Sequence, residues 1–246
     1  MIRAIILLLW YSILAIPAAA IGIPWRLLTG NVMPLYSMAL WIVRTGLNLV
    51  GIRVDVGGRE HVPADQACIF MSNHVSNLDP PVLVGAIPGR TAIFLKRSLM
   101  KIPVLGLGMK LADFIPVDRA GRLDSARESA RSAARLLASG VHITTFVEGS
   151  RSRDGHLLPF KKGPFHLAMD AVAPIIPISI WGTEELMRVG AKRIVPGTAY
   201  VRFHEPLWAK DFESRDALMA ATRASIAASL PEWMREPAVH SPVAST

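Results

Sequence analysis

Ser72-Asn73-His74-Val75-Ser76-Asn77-Leu78-Asp79-Pro80-Pro81 stands between two apolar runs, Ala67 to Met71 and Val82 to Ile87. An apolar run that ends abruptly in polar residues reads as a buried strand delivering a histidine and an aspartate to its exit. The two prolines open the next run as a helix, because the first helical turn has N–H groups with no intrahelical partner to lose. His74 is therefore expected on a turn and Asp79 near a helix N-terminus. The carboxylate then meets one imidazole nitrogen, and the other is free to take a proton from a hydroxyl. Alone, His-x4-Asp is short and common, and a solvated histidine beside a helix-capping aspartate describes it better. The rest of the chain decides between them.

Outward from this stretch, strands and helices alternate. Arg53-Val54-Asp55-Val56 has the period of a half-exposed strand and stops at Gly57-Gly58. Further strands are predicted at Thr91–Leu95, Phe114–Val117, His142–Val147, Pro174–Trp181 and Ala199–Phe203, with the Ala67–Met71 run making seven. Helices are predicted over Pro103–Ala112, over Leu123–Leu137 with Gly140 as its stop, after Lys161-Lys162-Gly163-Pro164, and over Arg215–Leu230. The arginines of Leu123–Leu137 read as a solvated or membrane-facing side, and His142 as structural. This pattern predicts an α/β sandwich with a mixed sheet over residues 51–232. Residues 233–246 are expected to be a disordered tail.

The first fifty residues differ. Ala4 to Trp25 carries no charge, and a second uncharged stretch, Leu27 to Val43, follows at once. The first is long enough to span a bilayer. A cleaved leader fits Arg3, the apolar run and Ala18-Ala19-Ala20, but would not need the second stretch. Two spanning helices are set against the interruptions Pro17, Gly22, Pro24, Gly30 and Pro34, and against arginines 3, 26 and 44 with no acidic residue among them. Residues 1–50 are read as a helical pair embedded in one leaflet, its arginine heads at the phosphate level. Spanning and monotopic arrangements both fit the length.

Composition narrows the partners. The formal charge is +8, from 27 basic and 19 acidic residues, and 51% of the chain is apolar. That balance favours anionic partners. Nucleic acid is the weakest of these and is not expected as a partner, because neither zinc-finger spacing nor an aromatic-basic recognition motif is present. Cys68 is the single cysteine and sits in an apolar strand, so it is expected to be inert. His-Glu-x-x-His and cysteine pairs are absent, and no metal or cofactor is expected. No Gly-x-Ser-x-Gly elbow supplies a serine nucleophile.

Three further blocks sit at strand exits: Phe114-Ile115-Pro116-Val117-Asp118-Arg119, Phe146-Val147-Glu148-Gly149-Ser150-Arg151-Ser152-Arg153, and Ala173-Pro174-Ile175-Ile176-Pro177-Ile178. With the His74 block, in this order and spacing, they resemble the glycerolipid acyltransferases, and in particular the 1-acylglycerol-3-phosphate (lysophosphatidic acid) acyltransferases. The resemblance runs from about Val54 to Phe203. Val147 departs from it, since proline is frequent before Glu-Gly in that family; valine suits a strand end, and no loss of activity is expected.

The resemblance implies acyl transfer from a thioester, acyl-coenzyme A or acyl carrier protein, to the free hydroxyl of lysophosphatidic acid, giving phosphatidic acid. It implies a mixed-sheet α/β acyltransferase domain at a membrane, on its cytoplasmic face. His74 would be the general base and Asp79 its orienting partner. Lys96, Arg119 and Arg151 would clamp the acceptor phosphate, the lysine position being one the family uses. Gly149 permits a tight turn, Ser150 offers a donor to anionic oxygens, and Glu148 is expected to hold the loop through Arg151 or backbone donors. Direct attack in a ternary complex is the simpler mechanism. Another acceptor (a lyso-ornithine lipid, a lysophosphatidylglycerol or glycerol phosphate), a thioester hydrolase and a non-catalytic lipid-binding protein are the competing readings.

Overall fold

A computed structural model of the protein describes residues 1–102, 105–117 and 123–235. The chain opens with helices α1 (Ile2–Thr29) and α2 (Met33–Leu49). Alternation then follows: β1 (Ile52–Gly57), β2 (Ile69–Ser72), α3 (Asp79–Ala86), β3 (Thr91–Lys96), a 3-10 turn (Arg97–Lys101), α4 (Leu105–Leu111), β4 (Ile115–Val117), α5 (Leu123–Ala138), β5 (His142–Phe146), α6 (Gly163–Ala171), β6 (Ile175–Trp181), α7 (Thr183–Leu186), β7 (Gly197–Phe203), α8 (Arg215–Ser229) and α9 (Glu232–Arg235). All seven expected strands are present, with ends shifted by one or two residues.

The sheet order is β1-β7-β6-β2-β5-β3-β4. The pairs β6–β2, β2–β5, β5–β3 and β3–β4 are parallel, β6–β7 is antiparallel, and β7–β1 is parallel. Five strands therefore point the same way, and the exits of β2, β5, β3, β4 and β6 share one edge of the sheet. In open sheets of this kind ligands collect beyond the carboxyl ends of the parallel strands.

Alternating side chains build two cores, as the period of two demands. Ile69, Met71, Ile143 and Ile175 face one side, packed with Ala133, Leu137, Phe165, Leu218 and Ile226 of α5, α6 and α8. Phe70, Ile176, Ile178, Ala199 and Val201 face the other, packed with Leu47 of α2, Val82 and Leu83 of α3 and Leu186 of α7. Cys68 lies in this second core, fully buried, and burial pushes its thiol up to about 12.

The N-terminal helical pair is present, with one difference. Pro17 and Pro24 do not interrupt α1, which runs unbroken past both. It ends at Gly30 (φ 73), whose N–H reaches the Arg26 carbonyl at 3.0 Å. The helices approach closely at two glycines: a Cβ on Gly46 would lie 2.5 Å from the Tyr11 ring, and one on Gly22 2.7 Å from Leu35. Trp10 Nε1 donates to the Ile42 carbonyl at 3.1 Å. Among the described residues, α1 alone is long and apolar enough to cross a membrane, by length and composition only.

Two of the pair's three arginines also hydrogen-bond to backbone carbonyls. Arg44 donates from Nε and Nη2 to the Gly85 carbonyl of α3, at 3.1 and 2.8 Å, which pins α2 to the sandwich. Arg26 folds back onto the Gly30 carbonyl. Tyr36 adds a further tie, its hydroxyl accepting from the Thr91 N–H at 3.1 Å. Three residues of the expected disordered tail are helical instead. Residues 233–235 lie in α9, where Met234 is buried and its carbonyl accepts from Leu157 N–H at 2.9 Å. Residues 236–246 lie outside the described part of the chain.

Candidate active site

β2 releases the chain at Ser72, and the next residue acts as a strand substitute. Asn73 donates from Nδ2 to the Ile180 carbonyl (2.8 Å) and accepts at Oδ1 from the Ile180 N–H (2.9 Å). Its amide thus continues the β2–β6 pairing with a side chain while the backbone turns away. The turn that follows carries His74, and Pro80-Pro81 start α3 as the sequence predicts.

His74 Nδ1 meets Asp79 Oδ2 at 2.7 Å. The same oxygen accepts from the N–H groups of Val75 and Ser76 at 2.7 and 2.8 Å, and Oδ1 accepts from the Thr183 hydroxyl. Four donors therefore surround one fully buried carboxylate, which also stands in the first turn of α3, where negative charge is favoured. An ionised Asp79 fixes the proton on Nδ1 and leaves Nε2 with a lone pair. No described residue bonds to Nε2. The ring stacks on Phe146, centroids 3.9 Å apart and planes 17° from parallel, and is 8% exposed.

β5 exits beside it. Glu148 is buried, and no described donor completes a hydrogen bond to either carboxyl oxygen. Burial pushes its pKa up to about 8; the nearby Leu158 and His74 amides and Arg223 pull it partly back, and Asp79 raises it further. Glu148 does not pair with Arg151, contrary to one expected arrangement. The cation that acts on it is Arg223 of α8, whose guanidinium donates to the carbonyls of Leu158 (2.8 Å) and Leu157 (3.1 Å). Gly149 turns the chain at φ 69, and a Cβ there would meet Lys161 at 3.1 Å. Ser150 is exposed at the tip. Arg151 Nη1 donates to Asn77 Oδ1, and Ser152 N–H to the His74 carbonyl at 2.8 Å, so the β5 turn is fastened to the His74 turn at two points.

Lys96 ends β3 and is exposed. Phe70, Thr144 and Ile93 share one level of the sheet, so Lys96, three residues past Ile93, leaves β3 on the same edge at which β2 and β5 end. Lys96 thus stands on the His74 edge, two strands away, roughly 10 Å at ordinary strand spacing. β4 ends opposite it, at Val117. Arg119 lies outside the described residues. A hollow of about 590 Å³, lined by Arg97, Met100, Lys101, Phe114 and Glu128 among others, lies between the 3-10 turn, α4, β4 and α5. His74 and Asp79 are not among its lining residues. Among the described residues, no three His, Cys, Asp or Glu side chains stand close enough to share a metal ion.

Sequence reasoning missed Asn73, Phe146, Thr183 and Arg223. Phe146 and Asn73 had a signal, since both lie inside the quoted motifs at strand exits. Thr183, just past the β6 exit at Gly182 (φ 84), had only its place after a strand. Arg223 had none.

The arrangement offers a buried, carboxylate-held imidazole with one free nitrogen, and anion donors on neighbouring loops of the same edge. Residues 53–181 match the family model described as Acyltransferase. The 1-acyl-sn-glycerol-3-phosphate acyltransferase alpha of Bos taurus is 32% identical over 88% of this chain and 73% of its own length. The Homo sapiens protein of that name is 34% identical over 81% of this chain and 68% of its own. The crystal structure of the 1-acyl-sn-glycerophosphate (LPA) acyltransferase PlsC from Thermotoga maritima superposes with a TM-score of 0.76 at 27% identity, covering 92% of this chain and 93% of that one. The chain belongs to the acyltransferase family, among the 1-acyl-sn-glycerol-3-phosphate acyltransferases, and is an O-acyltransferase.

Proposed function

We propose that the protein acylates the free hydroxyl of lysophosphatidic acid from an acyl thioester, yielding phosphatidic acid, with His74 as general base. The observation that carries the base is the 2.7 Å contact between His74 Nδ1 and Asp79 Oδ2, which leaves Nε2 as the proton acceptor. The names of the relatives support the acceptor.

Nε2 takes the hydroxyl proton as the acceptor oxygen attacks the thioester carbonyl. The new C–O bond forms, the C–S bond breaks, and the imidazolium returns the proton to the departing thiolate. Asp79 stabilises the charged ring between these events. Proton transfer of this kind contributes roughly 10²–10⁴ in rate. Holding the acceptor by its phosphate adds an orientational term, because attack becomes effectively intramolecular. Arg151, Ser150 and the N–H groups of the Gly149 turn supply that grip nearest the base, with Lys96 and Arg119 from neighbouring strand exits. Glu148 supports the loop from beneath rather than meeting the phosphate.

The donor is acyl-coenzyme A or acyl carrier protein. The enzyme works on a membrane, on its cytoplasmic face, with α1 laid into the lipid: Ile5, Leu8, Leu9, Ile13, Ile16 and Ile21 leave most of its length apolar and uncovered.

The deciding experiment is acyl transfer from palmitoyl-coenzyme A to lysophosphatidic acid by detergent-purified protein, beside His74→Ala. Phosphatidic acid made only by the unmutated protein supports the reaction and the base together. Equal rates from both would remove His74 as the base. Product from another lysolipid alone would reassign the acceptor.

A further inference from the structure

Between β3 and β4 the chain leaves the sheet edge, makes the Arg97–Lys101 turn and returns through α4, which packs against α1. This segment buries few of its apolar groups. Leu99 is 39%, Ile102 42% and Leu107 48% exposed. Lys96, Arg97, Lys101 and Lys110 are exposed among them, Arg97 also donating to Ser125 Oγ at 3.1 Å. From Thr91 to Ala112 the sequence has four cations and no aspartate or glutamate.

Charge and apolarity together select the occupant. A solvated connection would mix signs or lose its large apolar residues. A protein interface is depleted in lysine, especially at its apolar centre, whereas lysines punctuate this surface throughout. Exposed leucine and isoleucine set among lysines and arginines, with no acidic residue in the segment and only Glu128 of α5 lining the hollow beside it, match the boundary of an anionic bilayer. There the apolar groups enter the acyl region and the cations meet phosphates. The segment is also continuous with α1 and leaves the sheet at Lys96, on the His74 edge.

We propose that the Arg97–Ile102 turn and α4 form a second membrane contact, seated on an anionic lipid surface beside the α1–α2 pair. The inference rests on the reading of that pair as membrane-embedded. One contact would attach the protein and leave it free to pivot. Two, one of them beside a strand exit of the active edge, fix the sheet so that the edge bearing His74 faces the lipid that supplies acceptor and receives product.

Single cysteines at Leu99, Ile102 and Leu107 (L99C, I102C, L107C) in the full chain, each carrying a polarity-sensitive fluorophore, test this. Reference labels are placed at Ile13 of α1 and at exposed Glu213. The proteins are bound to vesicles of phosphatidylcholine with phosphatidylglycerol, with acyl-chain nitroxide lipids as quenchers. Labels at 99, 102 and 107 are expected to shift to the blue and to be quenched, less so in pure phosphatidylcholine, while the label at 213 reports water. If they report water while the label at 13 is quenched, the helical pair alone holds the protein and the second contact is wrong. If the label at 13 reports water too, the embedded-pair reading falls with it. Equal quenching in both vesicle types would overturn the assignment of an anionic surface.

Discussion

Replacing Thr183 by valine removes one hydroxyl and keeps the shape of the side chain. Thr183 is fully buried, and its hydroxyl is the donor that reaches Asp79 Oδ1; the three other donors all go to Oδ2. A hydrogen bond to a charged group contributes about 1.5–3 kcal/mol, and here the acceptor left behind is a buried carboxylate oxygen. If the whole of that reached the transition state, the rate would fall roughly 10- to 150-fold. Thr183→Val is therefore expected to lower kcat by up to that range with KM for the acceptor little changed. The loss reaches the rate through geometry: without its Oδ1 donor the carboxylate can turn away from His74 Nδ1 and release the ring. Thr183→Ser should restore the rate. Steady-state acyl transfer, with melting temperatures for the three proteins, makes the comparison. A valine variant that melts earlier yet keeps the unmutated kcat would refute the reasoning, leaving Thr183 a packing residue.

Glu148→Gln should change how stability depends on pH. The native carboxyl is raised from 4.5 to about 8, so between these values the fold holds a proton that the unfolded chain has released, and stability falls as pH rises through the window. Glutamine should flatten that slope in denaturant titrations at pH 5 and pH 8; an unchanged slope would show that Glu148 is already ionised in the fold. Arg151→Lys keeps the charge but loses the planar fork that reaches Asn77, so KM for the acceptor should rise more than kcat falls. Asn73→Ala strands the buried N–H and carbonyl of Ile180 and should cost about 1–3 kcal/mol in unfolding free energy. Gly46→Leu would force α2 off Tyr11 and should lower the melting temperature, at a cost of about 1–3 kcal/mol typical of overpacking.

What the sequence made legible was local. Each strand is a short apolar run closed by polar residues or glycine, and its exit carries its own chemistry. His74 and Asp79 are five residues apart, close enough for one turn and one helix start to bring them together, and Pro80-Pro81 announce that start. The proline argument failed in α1. A proline within a helix removes one backbone bond and crowds the preceding turn, yet α1 continues through Pro17 and Pro24. In an unbroken run of apolar helix formers, packed on α2 through Gly22 and Gly46, the neighbouring turns hold the helix across both sites. The tail misled for a simpler reason: Trp233 and Met234 stand in a stretch otherwise small, polar and proline-containing, and only the surface beside Leu157 shows why Met234 is buried.

The residues that set the site's properties come from far along the chain. Thr183 is 104 positions from Asp79, Asn73 is 107 from Ile180, and Arg223 is 65 from Leu158. No spacing rule reaches that far, because the sheet order that closes these distances is itself a tertiary result. β2 lies beside β6, so the β6 exit must pass the His74 turn, and a hydroxyl placed there falls on Asp79. α8 packs on β6 from the other face, so an arginine on it can reach beneath the β5 turn and influence Glu148. The four motif blocks thus name the groups that meet substrate, while segments beyond Trp181 set how tightly one carboxylate is held and how readily another ionises. Substitutions around Thr183 should accordingly move turnover, and those around Arg223 the pH dependence of stability, before either moves substrate affinity, and changes at Arg151 or Lys96 should do the reverse.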